Sequence, residues 1–278
     1  MLSAKYSQRV HVLKDHHELA LLFSVSPRYY SRMIKWNSES EFEVDGTTFL
    51  LEYFPGPGIM SVMKERFQVD VYESLAKQLG PNSNMMEVGI RSGASTALMA
   101  VLFKPRCLSA IELKKQGTKP FKEFLETHPD GNRIKAHFGC DQGNVAHLSE
   151  IVNGDFGGEQ LDIVADDASH QLAPSTTTFN YLFPRLRPGG IYVLEDWSWE
   201  HYAEATSGLE YWEELVSQFG RLTLKMVLAC AYAPDVFASL KLQRGIAVLQ
   251  RGPAELEPAG FDLDNYLGTR GKGLLAED

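Results

Sequence analysis

From residue 61 onward, short apolar runs alternate with longer stretches of helical character, and no other feature narrows the possible folds so far. The pattern predicts helix 61–79, strand 84–89, helix 94–103, strand 107–112, helix 118–127 and strand 133–138. It continues with helix 143–152, strand 161–166, helix 174–186, strand 190–195, helix 208–219, strand 222–229 and a last strand, 243–250. Parallel strands need a crossover, which is usually helical. The stretch after residue 229 has no room for a full helix, so the last two strands should form an antiparallel hairpin at the sheet edge. The expectation is an α/β fold, a doubly wound, mostly parallel sheet of about seven strands with an antiparallel C-terminal hairpin.

Residues 1–60 have a different texture. An amphipathic stretch near 10–24 leads to the alternating run E-F-E-V-D-G-T-T-F-L-L-E-Y-F, in which Asp45-Gly46 makes a hairpin turn. The P-G-P-G at 55–58 closes this section. It reads as an N-terminal appendage, serving as a lid or as a homo-oligomer contact. Residues 61–250 form the main domain, and 251–278 a polar, glycine-rich tail.

Charge and cysteines narrow the function classes. With 36 acidic against 27 basic residues the net charge is −9, a field that disfavours nucleic acid and anionic membranes as partners. Cys107, Cys140 and Cys230 show neither metal spacing nor an even-numbered framework, which suits reduced, buried thiols in a cytoplasmic protein. No run approaches the ~18 apolar residues of a membrane helix. The short apolar run from Leu19 to Val25 follows K-D-H-H-E and makes a poor signal peptide, so the expected location is the cytoplasm.

Two of the apolar runs end in acids. Strand 161–166 runs into A-D-D-A-S-H and strand 190–195 into L-E-D-W, so neighbouring parallel strands would bring Asp166, Asp167, Glu195, Asp196 and His170 to one sheet edge. Open α/β sheets bind ligands at that edge. Hard oxygen donors gathered there suit Mg²⁺, Ca²⁺ or Mn²⁺ rather than zinc. Either acidic pair alone would serve as a helix cap or a solvated strand end. Together with His170 they read as a metal site: Asp167, Glu195 and Asp196 as ligands and His170 as a general base. Strand residues alternate faces, so Asp166 and Asp167 should not share one task.

The first strand of the main domain runs into M-E-V-G-I-R-S-G-A-S-T. Gly89 and Gly93 flank a tight strand-to-helix turn, and Ser95 and Thr96 lie at the helix start, where N–H groups can hold an anion. The spacing is G-x-x-x-G rather than the dinucleotide G-x-G-x-x-G, which disfavours a nicotinamide oxidoreductase. Glu87 sits late in a buried strand. Glu112 ends the next strand, where an acid can accept hydrogen bonds from ribose hydroxyls. Asp141 and Gln142, after the third strand, could read a base edge. On one sheet edge these residues suit an adenosine-containing ligand.

This combination resembles the class I S-adenosylmethionine-dependent methyltransferases over residues 61–250, through E-V-G-I-R-S-G-A-S-T, Glu112, G-C-D-Q at 139–142 and A-D-D-A-S-H. The resemblance implies that the glycine turn holds the methionine part of the cofactor, that Glu112 binds its ribose and that Asp166 faces its amino group. D-D-A-S-H, L-F-P-R-L-R-P-G-G-I-Y-V-L-E-D-W and S-L-K-L-Q-R-G-I-A-V-L-Q-R-G are similar to metal-dependent O-methyltransferases of natural-product sugars, of the mycinamicin and macrocin type. That likeness implies S-adenosyl-L-methionine and Mg²⁺ (or Mn²⁺) as cofactors and a small-molecule hydroxyl, most naturally on a sugar, as acceptor. Trp197, Trp199 and Tyr202, beside His201, could wall that acceptor or equally pack beneath a loop. A catechol or other phenol is the alternative acceptor, and a non-catalytic cofactor-binding protein of the same fold the alternative role.

Overall fold

The computed structural model of the chain describes residues 33–52, 60–199 and 218–275. Of its two units, Met1–Arg32 lies outside the described residues, and with it the predicted amphipathic stretch; Met33–Asp278 holds everything that follows.

Three short strands come first, β1 (Ile34–Trp36), β2 (Glu41–Val44) and β3 (Thr47–Leu50), paired antiparallel in that order. The β2–β3 turn is the expected Asp45-Gly46, with φ of 48° and 80°, the positive pair that a two-residue hairpin needs. Helix α1 (Arg66–Leu79) follows, and its Glu73 accepts hydrogen bonds from the backbone N–H groups of Met33 (2.6 Å) and Ile34 (3.2 Å). The small sheet is thereby fastened to the helix.

Next come β4 (Asn84–Val88), α2 (Ala94–Phe103), β5 (Cys107–Glu112), α3 (Lys119–Thr127), β6 (Ile134–Phe138), α4 (Val145–Phe156), β7 (Leu161–Asp166), α5 (Leu172–Leu182) and β8 (Leu186–Glu195). The main sheet has the order β6-β5-β4-β7-β8-β10-β9, with β4 to β8 parallel to one another and β10 antiparallel to both its neighbours. Successive residues of one strand feed opposite cores. Met85, Ile163 and Val193 pack towards α1, α2 and the small sheet; Met86, Val164 and Leu194 pack towards α4 and α5. Strands covered on both faces read as continuous apolar runs, which is why they were legible.

One element differs from the expectation. Residues 222–229, read as a strand, lie inside helix α6 (Gly220–Tyr232), and the missing hairpin strand is β9 (Phe237–Gln243), paired with β10 (Ile246–Arg251). The run L-T-L-K-M-V-L alternates well enough to imitate a strand. Its buried residues are nevertheless Leu222, Thr223, Met226 and Ala229, a helical spacing that leaves Leu224 and Val227 exposed. The predicted helix 208–219 falls almost wholly outside the described residues. Beyond the sheet, a short helical turn (Leu263–Tyr266) and α7 (Gly268–Leu275) bury Leu263 and Leu267 in the second core. The three cysteines are free thiols, Cys107 and Cys140 buried.

Candidate functional site

The parallel pairing of β7 and β8 sets Asp166 level with Leu194, so Asp167 and Glu195 leave the sheet side by side. The two aspartates part company, as strand alternation requires. Asp166 turns into the second core and accepts a hydrogen bond from the Tyr192 hydroxyl at 2.8 Å. Asp167 faces the other way, where its Oδ1 lies 3.2 Å from His170 Nε2. His170 Nδ1 is 3.9 Å from Asp196 Oδ2. Donor atoms of Asp167, His170 and Asp196 all lie within 4.8 Å of one another, a span that one cation can bridge.

Local backbone geometry holds this trio in place. His170 (φ 53°) and Asp196 (φ 54°) both occupy the left-handed region, which costs a side-chain-bearing residue about 1–2 kcal/mol. The Ser169 N–H donates to Gln142 Oε1 at 2.8 Å, and the Asp196 N–H to the Gly245 carbonyl at 2.7 Å. The His170 ring is stacked on Phe219 and meets the edge of Trp199.

Glu195 has a different environment. Lys64, one residue before the α1 cap, places its ammonium 2.6 Å from each Glu195 oxygen and 3.0 Å from Asp167 Oδ2. Gln68 Nε2 donates to Glu195 Oε2 at 3.2 Å, and the Tyr72 hydroxyl donates to Oε1. The Gln68 side chain also closes the start of α1, accepting from the Glu65 N–H at 2.8 Å. Burial works against the Lys64 charge, but Asp167 and Glu195 outweigh it and hold its pKa above the ordinary lysine value. Burial likewise raises Asp167, but Lys64 and His170 override it and bring its carboxyl down to about 2. Burial lowers His170, and the Asp167 hydrogen bond and the Asp167 and Asp196 charges more than reverse that.

The glycine turn lies against the acids. Gly89 has φ of 87° and Gly93, which caps α2, has φ of 86°. The Asp167 N–H donates to the Val88 carbonyl at 2.9 Å, so the two predicted sites share a backbone bond. Glu112 comes to the same turn, where its Oε2 accepts from the N–H groups of Ile90 (3.2 Å) and Arg91 (2.6 Å). Asp141 is exposed and accepts from the Gly143 N–H at 2.8 Å. Gln142 is buried, with one end on Ser169 and the other on Thr178. Ser95 sits in the first turn of α2.

Glu87 is 1% exposed, and its Oε2 has no hydrogen-bond partner among the described residues. Burial drives its carboxyl up to about 7, and burial does the same to Asp166 against the opposing Tyr192 hydrogen bond. The unfolded values are 4.5 and 3.8, so both groups take up protons on folding between about pH 4 and pH 7. The stability they contribute is complete below the unfolded values and is lost as pH rises through about 7. The raised His170 acts in the same sense, whereas the lowered Asp167 matters only in more acidic solution. The urea midpoint of the unliganded protein should therefore fall from about pH 5 to about pH 8, and Glu87→Gln with Asp166→Asn should flatten the fall. A midpoint that climbs over that interval would contradict this.

Lys64, Gln68, Tyr72, Tyr192 and Phe219 were not picked out from the sequence, although Lys64, Gln68 and Tyr72 recur at four-residue steps, which on a helix is one face. Trp197 Nε1 donates to the Gln243 carbonyl at 2.9 Å, which ties its ring to the β9–β10 turn. His201 and Tyr202 lie outside the described residues.

Residues 86–197 match the sequence profile of a family described as a methyltransferase domain. The matched stretch runs from within β4 to just past the end of β8 and so takes in the glycine turn and both acidic strand ends. The chain is 43% identical over 79 residues to mycinamicin VI 2''-O-methyltransferase of Micromonospora griseorubida, a stretch covering 28% of this chain and 18% of that protein. It is 41% identical over 71 residues to demethylmacrocin O-methyltransferase of Streptomyces fradiae, covering 26% and 17%. The matched stretches thus span less than a fifth of the length of either curated relative. A Staphylococcus aureus protein provisionally assigned as a caffeoyl-CoA O-methyltransferase shares the fold, with TM-score 0.51 and 15% identity over 68% of this chain and 85% of that one. MycE methyltransferase of mycinamycin biosynthesis, in complex with Mg and S-adenosylhomocysteine, gives TM-score 0.47 and 23% identity over 67% and 48%. Among the described residues no helix is long and apolar enough to cross a membrane.

Proposed function

We propose that this chain is an S-adenosylmethionine- and Mg²⁺-dependent O-methyltransferase whose acceptor is a hydroxyl of a small natural product, on a sugar moiety. The observation that carries the reading is the Asp167, His170 and Asp196 cluster at the ends of β7 and β8, one backbone bond from the glycine turn. The three carboxylates of Asp167, Asp196 and Glu195 are hard oxygen donors that suit Mg²⁺ or Mn²⁺, with His170 beside them as base rather than ligand. The short matches to the two sugar O-methyltransferases support the acceptor class.

In this reading Asp167, Asp196 and Glu195 hold the ion, while Glu87, Gly89, Gly93, Ser95, Glu112, Asp141, Gln142 and Asp166 bound the cofactor side. When bound, a divalent ion lowers the pKa of a hydroxyl beside it, and S-adenosylmethionine supplies an electrophilic methyl group. The remaining work falls to the chain. The Asp167 carboxylate accepts a hydrogen bond from His170 Nε2–H, which leaves Nδ1 as the proton acceptor. Once protonated, the imidazolium is stabilised by Asp167 on one side and Asp196 on the other. Trp199 and Phe219 fix the plane of the ring, so proton removal and acceptor position are set together.

Two measurements test this. Excess chelator should abolish methyl transfer and added Mg²⁺ should restore it; full activity in chelator would overturn the metal assignment. A panel of deoxysugar glycosides and catechols should show methylation of glycosides, and turnover of catechols alone would sink the sugar acceptor.

A further inference from the structure

The acid cluster already contains a cation, and its position bears on how tightly a second one can bind. A carboxylate offers about four lone-pair sites. At Glu195 all four are taken: Lys64 and Tyr72 on Oε1, Lys64 and Gln68 on Oε2. Asp167 is divided, with Oδ2 on Lys64 at 3.0 Å and Oδ1 on His170 at 3.2 Å. Of the three carboxylates, Asp196 alone makes no ion pair with Lys64 among the described contacts. The Lys64 side chain is 2% exposed, so solvent screens its charge weakly.

We propose that Lys64 is a resident counter-cation that competes with the divalent ion, holding Glu195 back from it and setting the metal affinity of the site. The inference rests on the metal reading above. In the unliganded protein Lys64 neutralises Glu195 and shares Asp167, so three acids do not face one another unpaired. An arriving divalent ion meets a like charge at close range and finds one of its three carboxylates saturated. Lys64 therefore exchanges metal affinity for stability of the empty site, and it acts as a positioning residue on Glu195.

Titration with Mn²⁺, followed by calorimetry and by the electron paramagnetic resonance of the free ion, tests this without any acceptor or turnover. Lys64→Met and Lys64→Gln remove the charge, and both should bind Mn²⁺ about tenfold more tightly or better. Both should also melt lower than wild type in chelator and regain more on adding Mn²⁺. Lys64→Arg, which keeps the charge, should stay within about threefold of wild-type affinity. If wild type binds Mn²⁺ and the neutral variants bind it equally or more weakly, Lys64 is a structural tie and the inference fails while the metal reading stands. If no form binds Mn²⁺, the metal reading falls and takes the inference with it. Should a neutral variant be unfolded in chelator, Mn²⁺ should refold it, and failure to do so counts against the proposal.

Discussion

Replacing Asp167 with alanine is expected to cost methyl transfer about a thousandfold or more, with S-adenosylmethionine binding largely retained. Asp167 ties the acid cluster to its surroundings: the Lys64 ammonium at 3.0 Å, His170 Nε2 at 3.2 Å and, through its N–H, the end of β4 at 2.9 Å. Alanine leaves that backbone bond intact but removes a proposed metal ligand and the carboxylate that accepts from His170. His170→Ala removes the proposed proton acceptor alone, and general-base help is typically worth ~10²–10⁴-fold, whereas holding two reactants in line can supply ~7–11 kcal/mol. Asp167→Ala should therefore be the more damaging of the two in kcat/KM. The opposite order, measured on protein of unchanged thermal midpoint, would mean that proton removal outweighs positioning. Asp167→Asn should retain shape and one hydrogen-bond acceptor yet still fall close to the alanine variant, because the charge is what a cation binds.

The largest loss of stability is expected from Gly89→Ala. At φ of 87° any side chain is strained, and a methyl group there would press on the Asp167 carbonyl oxygen and come within 2.6 Å of Ala168 Cα. Left-handed strain contributes about 1–2 kcal/mol and overpacking against backbone about 1–3 kcal/mol, so a destabilisation of about 2–5 kcal/mol should appear in urea unfolding. Because the clash falls on the residue that carries the acid cluster, cofactor affinity and Mn²⁺ affinity should decline together. A variant that loses only cofactor binding, at full stability, would show that the two sites are not coupled through this backbone.

The strands were legible because parallel strands covered on both faces are largely apolar, and their ends because Glu112, Asp166 and Glu195 close β5, β7 and β8. Asp45-Gly46 was legible for an equally local reason, the positive φ of a two-residue turn. Helix α6 was misread because exposed Leu224 and Val227 blur its helical period into an alternation. Lys64 was invisible for a different reason. Its partners lie 103 and 131 positions away, and nothing local marks a lysine that the fold will bury. Glu112 shows the limit of motif reasoning. Strand-end position suggests a ribose acid, yet its carboxylate also clasps the backbone N–H groups of the glycine turn, a bond that no spacing rule announces.

Helix α1 holds β1 through Glu73 and holds Glu195 through Gln68 and the adjacent Tyr72. Both loads hang on the same short stretch of helix, residues 68–73. Tension applied to the small N-terminal sheet would therefore reach the carboxylate at the tip of β8 through fewer than two turns of one helix.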